Sequence, residues 1–132
     1  MAEGLLRDRF ARRGLTGRVE SAGLGALVGR PADPIAVELL AERAIDISAH
    51  RARQLTPELL ASAELVLVME TAHQRDVERL MPSTRGRVHR IGRFGGFDVP
   101  DPYRQDRAAF EQALELIERG LGDFEKVFWR EQ

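Results

Sequence analysis

The residue of this sequence best placed for chemistry is Asp101, which stands between two prolines in residues 98–104 (DVPDPYR). Each proline fixes its own φ near about −65° and pushes the residue before it towards an extended backbone. The carboxylate is therefore held on a stiff arm, as a general acid requires. A rigid surface turn would show the same residues, so the motif alone leaves both interpretations open. Asp98 is expected to be a solvated loop acid.

Metal and thiol chemistry find little support in the sequence. It contains no cysteine, so these 132 residues can form neither a disulfide nor a thiolate metal site nor a thiol nucleophile. The three histidines, His50, His73 and His89, are scattered, and no two have the i, i+4 spacing of a helical metal site. We therefore expect no metal and no organic cofactor.

The charge of the chain is nearly balanced, with 20 basic against 21 acidic side chains and a formal net charge of −1. A protein that grips a nucleic acid backbone needs a strongly positive face, so nucleic acid is not an expected partner. No stretch approaches the roughly 18 consecutive apolar residues of a membrane span, and residues 1–13 are too charged for the apolar core of a signal peptide. With 132 residues and 43% apolar content, one cytoplasmic domain over residues 1–132 is expected.

Helices and strands alternate along the chain and must position Asp101. Apolar periodicity and start signals predict helices over residues 1–13, 33–43, 56–61, 71–81 and 106–130. Asp33 and Thr56 each precede a proline, which is typical of a helix start, and Thr71 is expected to cap the fourth helix. Strands are predicted over residues 18–22, 65–69 and 87–91.

The last predicted helix has one strongly apolar face. That face is expected in the core and consists of Phe110, Ala113, Leu114, Ile117, Leu121, Phe124 and Phe128. Alternating strands and helices predict an α/β fold with a short, mainly parallel sheet, whose sites lie at the carboxyl ends of the strands. The loop after the strand at 87–91 carries Asp101, which places that carboxylate at the expected edge.

Six short segments occur in the order and spacing of a known family. They are MAEGLL at 1–6, ESAG at 20–23, DP at 33–34, HRARQ at 50–54, VME at 68–70 and PDPY at 100–103. Together they resemble the low-molecular-weight protein tyrosine phosphatases over essentially the whole chain. The forms PDPYR and SAGLGALVG are most similar to the bacterial subgroup paired with tyrosine autokinases of capsule and exopolysaccharide export.

The resemblance implies a three-layer α/β sandwich that hydrolyses phosphotyrosine monoesters of a protein, such as a tyrosine autokinase, through a phosphocysteine intermediate. Asp101 would be the general acid and later the base that activates water. Tyr103 would line the substrate entrance, with Leu27 as part of a hydrophobic wall. Ser21 and His50 would hydrogen-bond to the phosphate-binding loop and fix its shape.

The chain departs from the family pattern in three ways. The family's phosphate loop, Cys-x5-Arg-Ser/Thr, and its first, central strand are absent from these 132 residues, and Met1 corresponds to a position just after that loop. We therefore expect a truncated or mis-started sequence that is inactive by itself, with strands left unpaired beside the missing one. Arg104 stands where many members have a second tyrosine, which leaves the preference for the substrate ring open.

Two functions other than a phosphatase stay open. The first is a non-catalytic module of the same fold that binds a partner or phosphotyrosine without cleaving it. The second, a lesser rival, is an arsenate reductase on the same scaffold, which would also need cysteines.

Overall fold

The computed structural model describes residues 1–129. Its helices are α1 (Ala2–Arg12), α2 (Pro34–Ala41), α3 (Pro57–Ser62), α4 (Thr71–Leu80) and α5 (Arg107–Phe128). Its strands are β1 (Val66–Val68) and β2 (Val88–Arg90), and a single 3-10 turn over Pro82–Thr84 joins α4 to β2. The five predicted helices are confirmed to within about two residues, except that the predicted end of the last one at residue 130 lies outside the described residues.

Local signals fix where the helices begin. The side chains of Asp33 and Thr56 accept hydrogen bonds from backbone amides two and three residues further on, at 2.9 and 3.3 Å. The prediction that Thr71 caps α4 is wrong, because the N-cap is Glu70. The amide of Glu70 donates to Nδ1 of His73 at 3.3 Å, which completes a reciprocal cap and leaves the Thr71 hydroxyl for another partner.

The sheet is flanked by helices on both faces. β1 and β2 are parallel, in a register that pairs Val68 with Arg90. Val66 and Val68 pack with buried residues of α3, α4 and β2, whereas Leu67 and Met69 pack against a larger cluster from α1, α2 and α5. This alternation is the period of two that a strand imposes. The predicted α/β fold with a small parallel sheet between helices is confirmed.

The long helix α5 supplies much of the larger core. Its buried side chains recur every three or four residues and are Phe110, Ala113, Leu114, Ile117, Leu121 and Phe124. Phe128, predicted on the same face, is instead 46% exposed and stacks on Phe124 with ring centroids 5.4 Å apart. It lies in the last turn of the helix, where its ring contacts the side chains of Phe94 and of His89 in β2.

Gly120 marks the closest approach of α5 to the sheet. A Cβ atom at this position would lie 2.3 Å from Cγ2 of Ile91 and 2.5 Å from its carbonyl oxygen. Gly122, two residues later in the same helix, would place a Cβ atom with nothing within 4 Å. A hydrogen atom at Gly120 is therefore what lets the helix lie against the backbone that follows β2.

The strand predicted over residues 18–22 does not form. The backbone there is held by side chains instead: Arg7 donates to the carbonyl of Val19 at 2.6 Å, and Arg53 donates to the carbonyl of Ser21 at 2.9 Å. Within residues 1–129 the sheet has two strands, and β1 pairs only with β2. A strand exists only as one side of a ladder, and this segment has no neighbouring strand with which to build one.

No helix within residues 1–129 combines the length and the apolar character that crossing a membrane would require.

Candidate functional site

Asp101 lies on an exposed turn between β2 and α5. Its Oδ1 accepts a hydrogen bond from the backbone amide of Tyr103 at 3.0 Å, and its carbonyl accepts one from the side chain of Gln105 at 3.1 Å. The amide of Gln105 donates to the carbonyl of Pro102 at 2.9 Å, which closes a four-residue turn. One carboxylate oxygen is thus fixed, while Oδ2 makes no hydrogen bond within the described residues.

The chain leading into this turn is fastened to the carboxyl end of β1. The amide of Val99 donates to the carbonyl of Met69 at 2.9 Å. The carboxylate of Asp98 accepts hydrogen bonds from the amide and hydroxyl of Thr71 at 3.1 and 3.2 Å and from Arg90 at 2.9 Å. These contacts form a clamp, consisting of Asp98, Thr71 and Arg90, that holds the base of the turn.

The clamp sets the charge state of Asp98. The hydrogen bond from Arg90 and then the amide of Thr71 lower the pKa of this carboxyl group below its ordinary value. The expectation of a solvated loop acid holds in part: 38% of the side chain is exposed, and both carboxylate oxygens are also bonded to the protein. Sequence reasoning missed the clamp because Thr71 is 27 residues away.

Ser21 and His50 lie on neighbouring segments. Arg53 joins the two segments, since its side chain donates to the carbonyl of Ser21 and its carbonyl accepts from the amide of Gly23, both at 2.9 Å. Nδ1 of His50 lies 3.3 Å from Oε2 of Glu3, in the first turn of α1. The first turn of α1 therefore contacts the segment that carries His50. The hydroxyl of Ser21 makes no hydrogen bond within residues 1–129.

Residues 23–29 form a loop that presents apolar side chains to solvent. The exposed side chain of Gln54 bridges two backbone groups of the loop: it accepts from an amide at 3.0 Å and donates to a carbonyl at 2.6 Å. Leu27 and Val28 are 54% and 70% exposed, and Tyr103 on the other turn is 52% exposed. These side chains are unburied apolar surface of the kind that lines a substrate entrance.

The structure therefore arranges the predicted site residues in two groups. Asp101 and Tyr103 share one turn, whereas Ser21, Leu27 and His50 belong to residues 20–29 and 50–54, two segments that hydrogen-bond to each other. No hydrogen bond or ion pair of the described residues joins the two groups. No cluster of three or more histidine, aspartate or glutamate side chains that could hold a metal ion is found within residues 1–129.

A cavity of about 370 Å³ lies between α4 and β2, and its lining includes His89, Arg93 and Arg90, which also belongs to the clamp. Nη1 of Arg93 lies 2.9 Å from Nδ1 of His89. Burial first, and then the positive charge of Arg93, lower the pKa of His89. An imidazole that accepts from a guanidinium at Nδ1 is in its neutral form.

A small parallel sheet with helices on both faces, followed by a turn that exposes a carboxylate, defines an α/β protein. The family described as low molecular weight phosphotyrosine protein phosphatase matches residues 1–132, and the chain belongs to this family. A relative described as a probable low molecular weight protein-tyrosine-phosphatase, EpsP of Ralstonia nicotianae, is 49% identical over 121 residues, which cover 92% of this chain and 81% of the relative.

Solved structures agree with this assignment. Wzb of Vibrio vulnificus in complex with benzylphosphonate superposes with a TM-score of 0.87 at 35% identity, covering 95% of this chain and 86% of that one. The tyrosine phosphatase AmsI of Erwinia amylovora superposes with a TM-score of 0.89 at 32% identity, covering 98% and 83%. The resemblance to the phosphatase family and its fold is therefore confirmed.

Proposed function

We propose that this protein removes phosphate from phosphotyrosine in a partner protein, through a phosphocysteine intermediate. Membership of a family of phosphotyrosine phosphatases supports the class of reaction. A bacterial tyrosine autokinase of exopolysaccharide export is the partner we propose, from the resemblance of PDPYR and SAGLGALVG to that subgroup. Its location in the cytoplasm and its organisation as one domain stay predictions.

The observation that carries the proposal is the presentation of Asp101. Its carboxylate is exposed, one oxygen is oriented by the amide of Tyr103 at 3.0 Å, and the base of its turn is clamped to the end of β1. In the proposed reaction Asp101 gives its proton to the phenolic oxygen as the P–O bond breaks. The resulting carboxylate then takes a proton from the water that attacks the phosphocysteine.

The second group of residues is proposed to hold the phosphate loop. Ser21 offers a hydroxyl without a partner in the described residues, and His50 is oriented by Glu3 in the first turn of α1. His50 is placed where α1 begins, and the amino end of a helix favours a bound anion. Leu27 and Tyr103 are proposed to contact the substrate ring from the two sides of the entrance.

The nucleophile is the part of the reaction that these residues do not supply. The 132 residues contain no cysteine, so the proposal places the thiolate and the phosphate-binding arginine in a Cys-x5-Arg segment outside them. A general acid alone contributes about 10²–10⁴ in rate, whereas hydrolysis of a phosphate monoester needs many orders of magnitude more. We propose that a polypeptide of these 132 residues alone is inactive.

The test compares this polypeptide with a longer product of the same gene. Sequencing the upstream DNA for an in-frame Cys-x5-Arg segment, with the intact mass of the native protein, defines the longer product. We expect the longer product to hydrolyse para-nitrophenyl phosphate, and Asp101→Asn to lower its kcat by about 10²-fold or more. Asp76→Asn, on the exposed face of α4, is the matched control and should retain the parent kcat.

Three results would contradict the proposal. Release of para-nitrophenol by the 132-residue polypeptide that disappears in Asp101→Ala would show that no outside nucleophile is needed. Full activity of Asp101→Asn in the longer product would remove Asp101 as the acid. A native protein that consists of these 132 residues and binds phosphotyrosine peptides without cleaving them would instead be the non-catalytic module.

A further inference from the structure

Arg104, three residues after Asp101, has an unusual backbone conformation. Its φ is +63°, and it occupies the third position of the turn closed by the 2.9 Å hydrogen bond from Gln105 to Pro102. A positive φ at that position marks a type II turn, which normally requires glycine or asparagine. Among the described residues the only other non-glycine with positive φ is Ala44, which follows the end of α2, where such a conformation is common.

The guanidinium of Arg104 has no acidic partner in the described part of the chain. It lies over the ring of Tyr103, with Cζ 5.4 Å from the ring centroid, and the residue is exposed. Arg107, only three residues later, is bonded to three carboxylates, those of Glu38, Glu42 and Glu111. The backbone of Arg104 is strained, and its cation stacks on a ring without an acidic partner, close to the proposed catalytic carboxylate. Strain of this kind at a proposed active site calls for a functional explanation.

We propose that Arg104 is a specificity residue that binds an acidic side chain of the substrate close to the phosphotyrosine. This inference rests on the proposed function, because the phenolic oxygen must lie at Asp101 for the geometry to apply. An extended peptide advances about 3.3–3.6 Å per residue, so a carboxylate one to three positions from the phosphotyrosine is within reach of the guanidinium. The planar fork of arginine matches a carboxylate through two hydrogen bonds.

The expected effect is modest and has a defined signature. An ion pair between exposed groups changes affinity by about two- to fivefold. The contact is the same before and during cleavage of the P–O bond, so it should lower KM and leave kcat unchanged. Because both charges are exposed, the preference should shrink as the salt concentration rises.

The test uses two peptides that are identical except for aspartate or asparagine at the three positions on each side of the target residue. Their phosphotyrosine forms are cleaved by the longer gene product, and their non-hydrolysable phosphonate forms are used to measure Kd by calorimetry. The parent protein should prefer the acidic peptide about two- to fivefold in KM and in Kd. Arg104→Gln should abolish this preference and Arg104→Lys should retain part of it, whereas Arg79→Gln, a control on α4, should keep all of it.

Arg104→Gly separates recognition from turn structure. Glycine fits the positive φ, so this variant should melt at a higher temperature than the parent and yet lose the acidic preference. An unchanged preference in Arg104→Gln, or an equal loss of kcat on both peptides, would overturn the inference. If the longer product fails to cleave para-nitrophenyl phosphate, the proposed function fails, and the Kd ratio of the phosphonate peptides still decides the role of Arg104.

Discussion

Gly120→Ala should destabilise the protein, although alanine is the better helix former. The new Cβ would lie 2.5 Å from the carbonyl oxygen and 2.9 Å from the carbonyl carbon of Ile91. Ordinary contacts begin near 3.4 Å, so the helix and the backbone after β2 must separate by about 0.9 Å to relieve the contact with the oxygen. The obstruction is backbone, which cannot rotate away as a side chain would.

The size of the effect follows from two opposing contributions. Replacing a helical glycine by alanine stabilises by about 1 kcal/mol. Overpacking against an unyielding backbone costs about 3 kcal/mol, the upper end of the usual range. The net loss for Gly120→Ala is therefore about 2 kcal/mol. At Gly122 the space around a Cβ is empty, so Gly122→Ala keeps the gain of about 1 kcal/mol without the cost.

Urea denaturation of the parent and both variants, monitored by circular dichroism, measures these free energies of unfolding. The two alanine variants should differ by about 3 kcal/mol, with the parent between them. The two glycines occupy one helix two residues apart, so propensity, length and dipole effects cancel in the comparison. Equal stability of the two variants, or a Gly120→Ala protein more stable than the parent, would refute the packing argument.

Two further predictions concern pH. The clamp lowers the pKa of Asp98, so the stability that the clamp contributes is present above the ordinary pKa of 3.8 and is lost as the pH falls through the lowered pKa of the folded state. Asp98→Asn should therefore unfold at a lower urea concentration than the parent at neutral pH. On acidification, this variant should lose less further stability than the parent does. The pKa of His89 is also lowered, from 6.5, so the unfolded chain takes up a proton first and stability should fall as the pH drops below about 6.5. His89→Gln should flatten that decline in urea midpoints measured between about pH 8 and about pH 5, and an unchanged slope would exclude His89 as its source.

Local chemistry made much of the fold predictable. Asp33 with the proline that follows it specifies the start of α2, and the spacing from Phe110 to Phe124 specifies α5 and its buried face. These signals act within one or two turns of chain, so sequence alone contains them. The exposure of Phe128 at the end of that face was not predictable, because the rings of Phe94 and His89 that it contacts belong to distant parts of the chain.

Features that depend on distant partners were not predictable. Residues 18–22 have strand-like side chains, but a strand also needs a neighbour, and no local pattern shows whether one is available. The clamp at Asp98 joins residues 27 positions apart, and the positive φ of Arg104 follows from closure of a turn whose sequence lacks glycine. Sequence alone indicated Asp101 because the two prolines that stiffen its backbone are its direct neighbours. The anchoring of its turn to β1 depends on residues far away in the sequence, so no local pattern predicted it.

The single pairing of β1 bears on how a polypeptide of these 132 residues alone behaves in concentrated solution. In the part of the chain that the structure describes, the second side of this strand faces no other strand. Free backbone edges of this kind recruit further copies and seed aggregates unless charges beside them intervene. Glu64 and Glu70 bracket the strand. The repulsion between these side chains on neighbouring molecules would oppose such pairing.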